Sequence, residues 1–127
     1  MGAASRLAEF VMGTPLELSP ELIERWPELA VVRWRRGGWP PRVPGWFFGS
    51  PHVAITLWHY VFLGPGFEPT AALLLHELRH VQQFESVRAF PVRYLVELVR
   101  RGYRRNRYEV DADAYAAARL QESALPL

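Results

Sequence analysis

The sequence predicts an α+β fold, in which a small, mostly antiparallel sheet of about three strands packs against a central helix that two further helices follow. Segments rich in β-branched and aromatic residues occupy 29–35 and 52–62, whereas helical periodicity dominates from Thr70 onward. The length of 127 residues is that of one domain, and half of the residues are apolar, which suffices for a buried core. We therefore expect a single domain over residues 1–127.

Residues 1–28 are predicted to form an N-terminal helical segment. A first helix fits residues 3–12. A second follows Ser19, whose hydroxyl can cap a helix that has Pro20 at its first position, and Pro27 is expected to end it.

Residues 29–64 are predicted to form the sheet region. The run "LAVVRWR" at 29–35 is typical of a strand, and the Gly/Pro-rich segment 37–45 predicts a loop. An extended "WFFGS" and a tight turn at Ser50-Pro51 follow, and then a strand over 52–62. Both alternating sets of side chains in that strand are apolar, so we expect it to be covered on both faces.

Three helices are predicted over residues 70–123. Thr70 is expected to cap a central helix that ends near Ser86, and the last helix is expected to run from about Asn106 to Ser123. Between them, a helix begins at Pro91 and ends before Gly102. Its arginines and Glu97 lie opposite a set of apolar residues at 92, 95, 96, 99 and 103.

The composition limits the chemistry that the chain can carry. It has no cysteine, which excludes disulfides and thiolate metal sites, so a bound metal must rest on histidine and carboxylate. Its apolar runs are too short for a secretory signal or a membrane span, so we expect a cytoplasmic protein without a membrane partner. Eight arginines against two acids between residues 79 and 107 indicate one basic surface.

The central helix carries the motif HELRH. Residues four apart lie on one face of an α-helix, so His76 and His80 can bind one ion together. Glu77 lies about 100° around the helix from His76, beside such an ion, where it could take a proton from a metal-bound water. The alternative is that the three side chains satisfy one another in a helix-packing contact.

A zinc site with two histidines needs a third protein ligand. Glu109 is the candidate, 29 residues after His80, and Asp113 follows it by one helical turn, where it could accept the N–H of a ligating histidine. Asn106 and Glu109 also match a capping box, in which the glutamate bonds only to the amide of the N-cap residue. Both interpretations of Glu109 stay open at this point.

HELRH, followed by a helix with the pattern E-x-x-x-D, resembles the gluzincin (thermolysin-like) HExxH zinc metallopeptidases, in particular their single-domain minimal members. The resemblance covers roughly residues 50–120 and rests on two short motifs, whereas residues 1–45 match nothing that we recognise. It implies a zincin-like fold, one Zn²⁺ ion and hydrolysis of peptide bonds. It also implies His76, His80 and Glu109 as metal ligands, Glu77 as general base and Asp113 as the residue that orients a ligand.

By the same resemblance, an extended peptide or protein substrate would pair with the strand at 52–62. A second group that stabilises the transition state is expected, with Tyr103, Tyr108 and His59 as candidates. For His59, an ordinary strand residue is the favoured interpretation. Some small relatives are held latent by their own terminal segments, so the resemblance also gives latency as a hypothesis for this chain.

A second hypothesis is a non-catalytic, metal-stabilised binding module. Its contact surface would be the Arg/Tyr-rich segment 88–108, whose side chains suit nucleic acid or a protein partner. A solvated helix face explains the same residues, so we do not expect a nucleic-acid partner. The sequence identifies no substrate and no oligomeric state.

Overall fold

The computed structural model describes residues 2–40, 54–64, 66 and 68–124. They belong to two compact units, Met1–Pro69 and Thr70–Leu127. The predicted turn at Ser50-Pro51, the extended piece before it, most of the predicted loop and the first two residues of the 52–62 strand lie outside the described residues. The single domain and the packing of the sheet against the central helix stay predictions.

The first unit contains two short helices and a sheet. The elements in chain order are helix α1 (Ala3–Met12), strand β1 (Thr14–Pro15), helix α2 (Pro20–Arg25), a 3₁₀ turn (Pro27–Val31), and strands β2 (Arg33–Arg36), β3 (Ala54–Leu57) and β4 (Tyr60–Leu63). Both predicted helices are confirmed. Ser19 caps α2 as expected, because its hydroxyl accepts a hydrogen bond from the Leu22 amide at 3.4 Å.

The sheet has four described strands in the order β1-β2-β4-β3, instead of about three. β2 and β4 run parallel, whereas the outer pairings are antiparallel, so the sheet is mixed. The short β1 escaped prediction because it depends on a close approach of two chain segments. A Cβ on Gly13, whose φ is +65°, would lie 2.3 Å from the Arg36 carbonyl oxygen.

The predicted strand at 29–35 was placed too early. The strand begins at Arg33, and its predicted first part belongs to the 3₁₀ turn Pro27–Val31. The Trp34 indole N–H donates to the Leu29 carbonyl at 3.0 Å, and Leu29 itself is fully buried. This bond stabilises a turn that apolar composition alone does not reveal.

The predicted single strand at 52–62 is wrong. Its described part is a hairpin in which Leu57 pairs with Tyr60 across a two-residue turn of Trp58 and His59. Trp58 has a φ of 54°, which such turns usually assign to Gly, Asn or Asp, so the sequence carries no turn signal here. The expectation of coverage on both faces holds for β4, where three successive side chains are buried.

The three predicted helices of the second unit are confirmed to within about one residue at each end. They are α3 (Ala71–Ser86), α4 (Phe90–Arg101) and α5 (Arg107–Ala124). The Thr70 hydroxyl accepts from the Leu73 amide at 3.3 Å, and the Asn106 side chain accepts from the Tyr108 amide at 3.0 Å. Within the described ranges, none of the helices has the length and apolar character needed to cross a membrane.

Helix α4 turns its apolar stripe outward. Such a stripe ordinarily faces the core, yet the exposed side chains here are Val92, Leu95, Val96 and Val99. Phe90 and Glu97 are buried instead. Glu97 accepts from the Arg107 amide at 3.2 Å, and the Phe90 ring meets the Tyr108 ring edge-on at 5.0 Å. These contacts with the start of α5 decide which face of α4 is buried.

Candidate metal centre

Helix α3 presents His76 and His80 from one face. Their rings lie edge to face with centroids 4.8 Å apart, and their Nε2 atoms are 3.1 Å apart. The side chains are 14% and 9% exposed. The HELRH spacing therefore converges two imidazole nitrogens on one point, as predicted from helix geometry.

Helix α5 brings a carboxylate to the same point. Glu109 Oε1 lies 2.9 Å from His76 Nε2 and 3.2 Å from His80 Nε2. In a tetrahedral zinc site with bonds near 2.1 Å, ligand atoms lie about 3.4 Å apart. The triangle of two nitrogens and one oxygen has edges of 2.9 to 3.2 Å, so these three side chains fit a small divalent ion.

Asp113 orients the first histidine. Its Oδ1 lies 2.8 Å from His76 Nδ1. Because a carboxylate only accepts, Nδ1 carries the hydrogen, and Nε2 can offer its lone pair to an ion. The contact is the one predicted, and it forms although the Asp113 side chain is 76% exposed.

Gln83 orients the second histidine, and sequence analysis missed it. Its amide nitrogen donates to the Tyr108 carbonyl at 3.0 Å and to Asp111 Oδ2 at 2.9 Å. Both partners are acceptors, so the amide oxygen must face His80, whose Nδ1 donates to it at 2.8 Å. Gln83 thus leaves His80 Nε2 available as a ligand. Its position three residues after His80 on the same helix is the only signal for this role in the sequence.

Tyr94 holds the carboxylate and was also missed as a site residue. Its hydroxyl donates to Glu109 Oε2 at 2.6 Å. The capping-box alternative for Glu109 does not describe this arrangement, because the Asn106 amide donates to the Tyr103 carbonyl at 3.2 Å. Both oxygens of Glu109 are instead engaged by side chains of the cluster.

The protonation equilibria reflect this close packing. Burial lowers the pKa of His80, but the hydrogen bond to Glu109 and the nearby charge of Glu77 raise it more, to a net value of about 9. Burial also lowers the pKa of His76, but the hydrogen bond to Glu109 and the charges of Glu77 and Glu109 together raise it more, so its net pKa is raised. Burial raises the pKa of Glu109, yet the bonds from both histidines and from Tyr94 bring it well below its ordinary value. His76 and His80 therefore hold protons more tightly, and Glu109 holds its proton less tightly, than the same groups do in water.

Glu77, the predicted base, is 5% exposed, and its negative charge contributes to the raised pKa of both histidines. Of the three candidates for a stabilising group, Tyr103 approaches the carboxylates. Partial burial of its hydroxyl and then the charges of Glu109 and Glu77 raise its pKa, although the residue as a whole is 59% exposed. Tyr108 is buried, and its ring contacts the rings of Phe90 and Tyr94. His59 lies in the hairpin turn of the first unit, and its predicted role stays a prediction.

The second unit thus combines a His-His-Glu ligand set with separate partners that orient each ligand. Hydrogen-bond partners of this kind fix the tautomer and direction of a metal ligand. The gluzincin resemblance itself stays a prediction that rests on the two motifs. Comparisons with models of protein families, with curated proteins and with solved structures find no match for this chain.

Proposed function

We propose that the chain is a zinc-dependent metallopeptidase-like hydrolase. The observation that carries the proposal is the convergence of His76 Nε2, His80 Nε2 and Glu109 Oε1 within 3.2 Å of one another. Two imidazoles and one carboxylate are a ligand set of catalytic zinc sites, which keep a fourth position for water or substrate. When bound, zinc polarises a carbonyl and lowers the pKa of a coordinated water to about 7.

Glu77 is the proposed general base. It follows a ligand directly in the sequence and is buried near both histidines, so its carboxylate can take the proton of an attacking water. The water oxygen forms a bond to the peptide carbonyl carbon. The carbon–nitrogen bond then breaks, and Glu77 delivers the proton to the leaving amine.

Tyr103 is the proposed donor to the developing oxyanion. A tyrosine phenol is protonated at neutral pH, and Tyr103 is 59% exposed, so its O–H can donate a hydrogen bond to a substrate while negative charge grows on the carbonyl oxygen. Tyr94 is less suited to this role, because its hydroxyl is already engaged by Glu109 at 2.6 Å.

Peptide recognition is proposed to use β3. Among the described strands it is the outer neighbour of β4, so one of its edges can pair with an extended peptide. This replaces the longer strand at 52–62 as the expected binding element. The placement of β3 relative to the metal cluster stays a prediction.

Metal analysis of purified variants tests the ligand set. We expect one zinc per chain in the parent and its loss in His76→Ala, His80→Ala and Glu109→Ala. His59→Ala, a histidine substitution in the other unit, should keep the ion. Full zinc content in Glu109→Ala would refute the assignment of the third ligand.

Cleavage of a mixed peptide library tests the chemistry. Glu77→Gln should retain zinc and lose hydrolysis, whereas Glu85→Gln on the exposed end of the same helix should keep both. Equal rates for Glu77→Gln and the parent would exclude Glu77 as the base.

A structural metal is the second candidate. Glu109 joins α5 to both histidines of α3 and to Tyr94 of α4, so an ion here would cross-link three helices. Two results together would favour a structural metal over a hydrolase: zinc raises the unfolding temperature of the parent protein, and the parent protein cleaves no peptide.

A further inference from the structure

We propose that helix α4 docks on an anionic lipid surface through its apolar stripe, defined as Val92, Leu95, Val96 and Val99. These side chains are 63%, 58%, 47% and 85% exposed. Their spacing places them on one face of the helix, one turn after another. This inference does not depend on the proposed function.

The stripe cannot exchange places with the buried face at low cost. That face carries Glu97, which accepts from the Arg107 amide at 3.2 Å and pairs with Arg101 at 3.4 Å. It also carries Tyr94, which donates to Glu109 at 2.6 Å. Turning α4 over would break these bonds and leave a buried carboxylate and amide to find new partners. The outward direction of the stripe is therefore built into the helix.

The charges around the stripe select an anionic partner. Between residues 88 and 107 the sequence has seven arginines and one acid, Glu97, an excess of six positive charges. All seven arginines are exposed, whereas Glu97 is 8% exposed and engaged. Arg93 and Arg100 each follow a valine of the stripe, so they lie about 100° further around and form one flank of it. Aliphatic side chains beside arginines suit the boundary between acyl chains and phosphate headgroups.

The shape and chemistry favour lipid over other anionic partners. Nucleic acid is bound through phosphates and through bases stacked on aromatic rings, so four exposed aliphatic side chains would add nothing to it. A peptide helix is usually received in an apolar groove, whereas this stripe lies on the convex side of a single helix. The expectation that the protein has no membrane partner considered only membrane spans. A 12-residue helix such as α4 can lie along the interface without crossing it.

Vesicle flotation of the full chain tests the proposal. We expect binding to vesicles of equal parts phosphatidylcholine and phosphatidylglycerol, and at least about tenfold weaker binding to phosphatidylcholine alone. Val99→Asp should reduce binding to the anionic vesicles about tenfold or more, and Arg93→Gln combined with Arg100→Gln should reduce its dependence on salt. Val110→Asp is the matched control, because Val110 is 52% exposed and lies on a different helix. This substitution should leave vesicle binding unchanged.

Insertion can be measured separately because the chain has no cysteine. An environment-sensitive fluorophore on Val99→Cys should shift to shorter wavelength with anionic vesicles, whereas the same label on Val110→Cys should not. Circular dichroism checks that each variant folds. Unchanged vesicle binding by a folded Val99→Asp would overturn the proposal. A second outcome would also overturn it: the parent does not bind vesicles but self-associates, or binds an acidic protein or DNA, and Val99→Asp abolishes that binding.

Discussion

Gln83 is a single residue that can control the proposed metal site without touching the ion. Its amide orientation is fixed by two acceptors, and this fixes the tautomer of His80. We predict that Gln83→Met weakens zinc binding about 10- to 100-fold, the usual effect of removing a partner that orients a ligand. Competition with a chromophoric chelator measures the Kd.

The neighbouring Gln82 offers a matched control. It is half-buried on the same helix and accepts a hydrogen bond from Arg79 at 2.9 Å, away from the histidines. Gln82→Met should therefore bind zinc as the parent does. If the two variants have the same Kd, Gln83 has no orienting role.

Two tyrosines near Glu109 should differ in what their substitution changes. Tyr94 donates to the carboxylate at 2.6 Å, so Tyr94→Phe should weaken zinc binding, because Glu109 loses a partner that directs it. Tyr103→Phe should keep zinc and lower kcat about 100-fold, the usual effect of removing an oxyanion donor. Zinc titration together with peptide hydrolysis separates the two effects. Normal kcat in Tyr103→Phe would assign the stabilising role elsewhere.

The residues of the candidate metal site could be predicted from the sequence because they follow helical periodicity. His76 and His80 share a face by their spacing, and Glu109 and Asp113 lie one turn apart on the next suitable helix. Gln83 and Tyr94 could not, because their roles depend on which face of each helix is buried. For α4 the apolar pattern predicts that the face opposite to the observed one is buried. Tyr94, which donates to Glu109, is therefore predicted to lie on a solvated surface.

At the scale of the elements, caps and turns decided which predictions succeeded. Thr70 and Gly102 mark helix ends by side-chain and backbone chemistry that is visible in the sequence. The hairpin turn at Trp58-His59 lacks the residues that such turns usually need, so the sequence predicts one continuous strand there. The short β1 depends on pairing with a distant segment, which local sequence does not encode.

The start of α5 is an element-scale test of how the site is supported. Asn106 is fully buried, accepts from the Tyr108 amide at 3.0 Å and donates to the Tyr94 carbonyl at 3.3 Å. We predict that Asn106→Ala lowers the free energy of unfolding by about 1–3 kcal/mol, because a cap and a buried donor are lost together. Zinc should also bind more weakly, since Glu109 lies in the first turn of this helix. Urea denaturation and zinc titration measure the two effects.

Ser123, near the other end of α5, provides the comparison for Asn106. Its hydroxyl donates to the Leu120 carbonyl at 3.0 Å, far along the helix from the first turn. Ser123→Ala should change the free energy of unfolding by less than about 0.5 kcal/mol, as surface substitutions usually do. If Ser123→Ala lowers the free energy of unfolding as much as Asn106→Ala does, the buried cap does not stabilise the fold more than an ordinary helix residue.

For the whole molecule, an ion bound by His76, His80 and Glu109 would act as a cross-link between helices of the second unit. Disulfides are excluded by the absence of cysteine. An ion that binds only the folded chain stabilises it by about 2.7 kcal/mol when its free concentration is 100 times the Kd. The stability of the protein should therefore depend on zinc, and the protons that zinc displaces should make that dependence a function of pH.

The final prediction concerns the sign of this pH dependence. The pKa of His80 is about 9 in the folded chain against 6.5 in the unfolded one, so its contribution is fully present below pH 6.5 and lost as pH rises through 9. The pKa of Glu109 is lowered, so its contribution is present above its ordinary value of 4.5 and is lost as pH falls. The chelated protein, meaning the protein kept free of metal by a chelator, should thus lose stability from about pH 6.5 to 9. At a fixed free zinc concentration its stability should instead rise over this interval, because protons compete with zinc less well as the pH increases. Urea denaturation across this interval measures both slopes. His80→Ala should flatten the slope of the chelated protein, and an unchanged slope in that variant would place its origin outside the cluster.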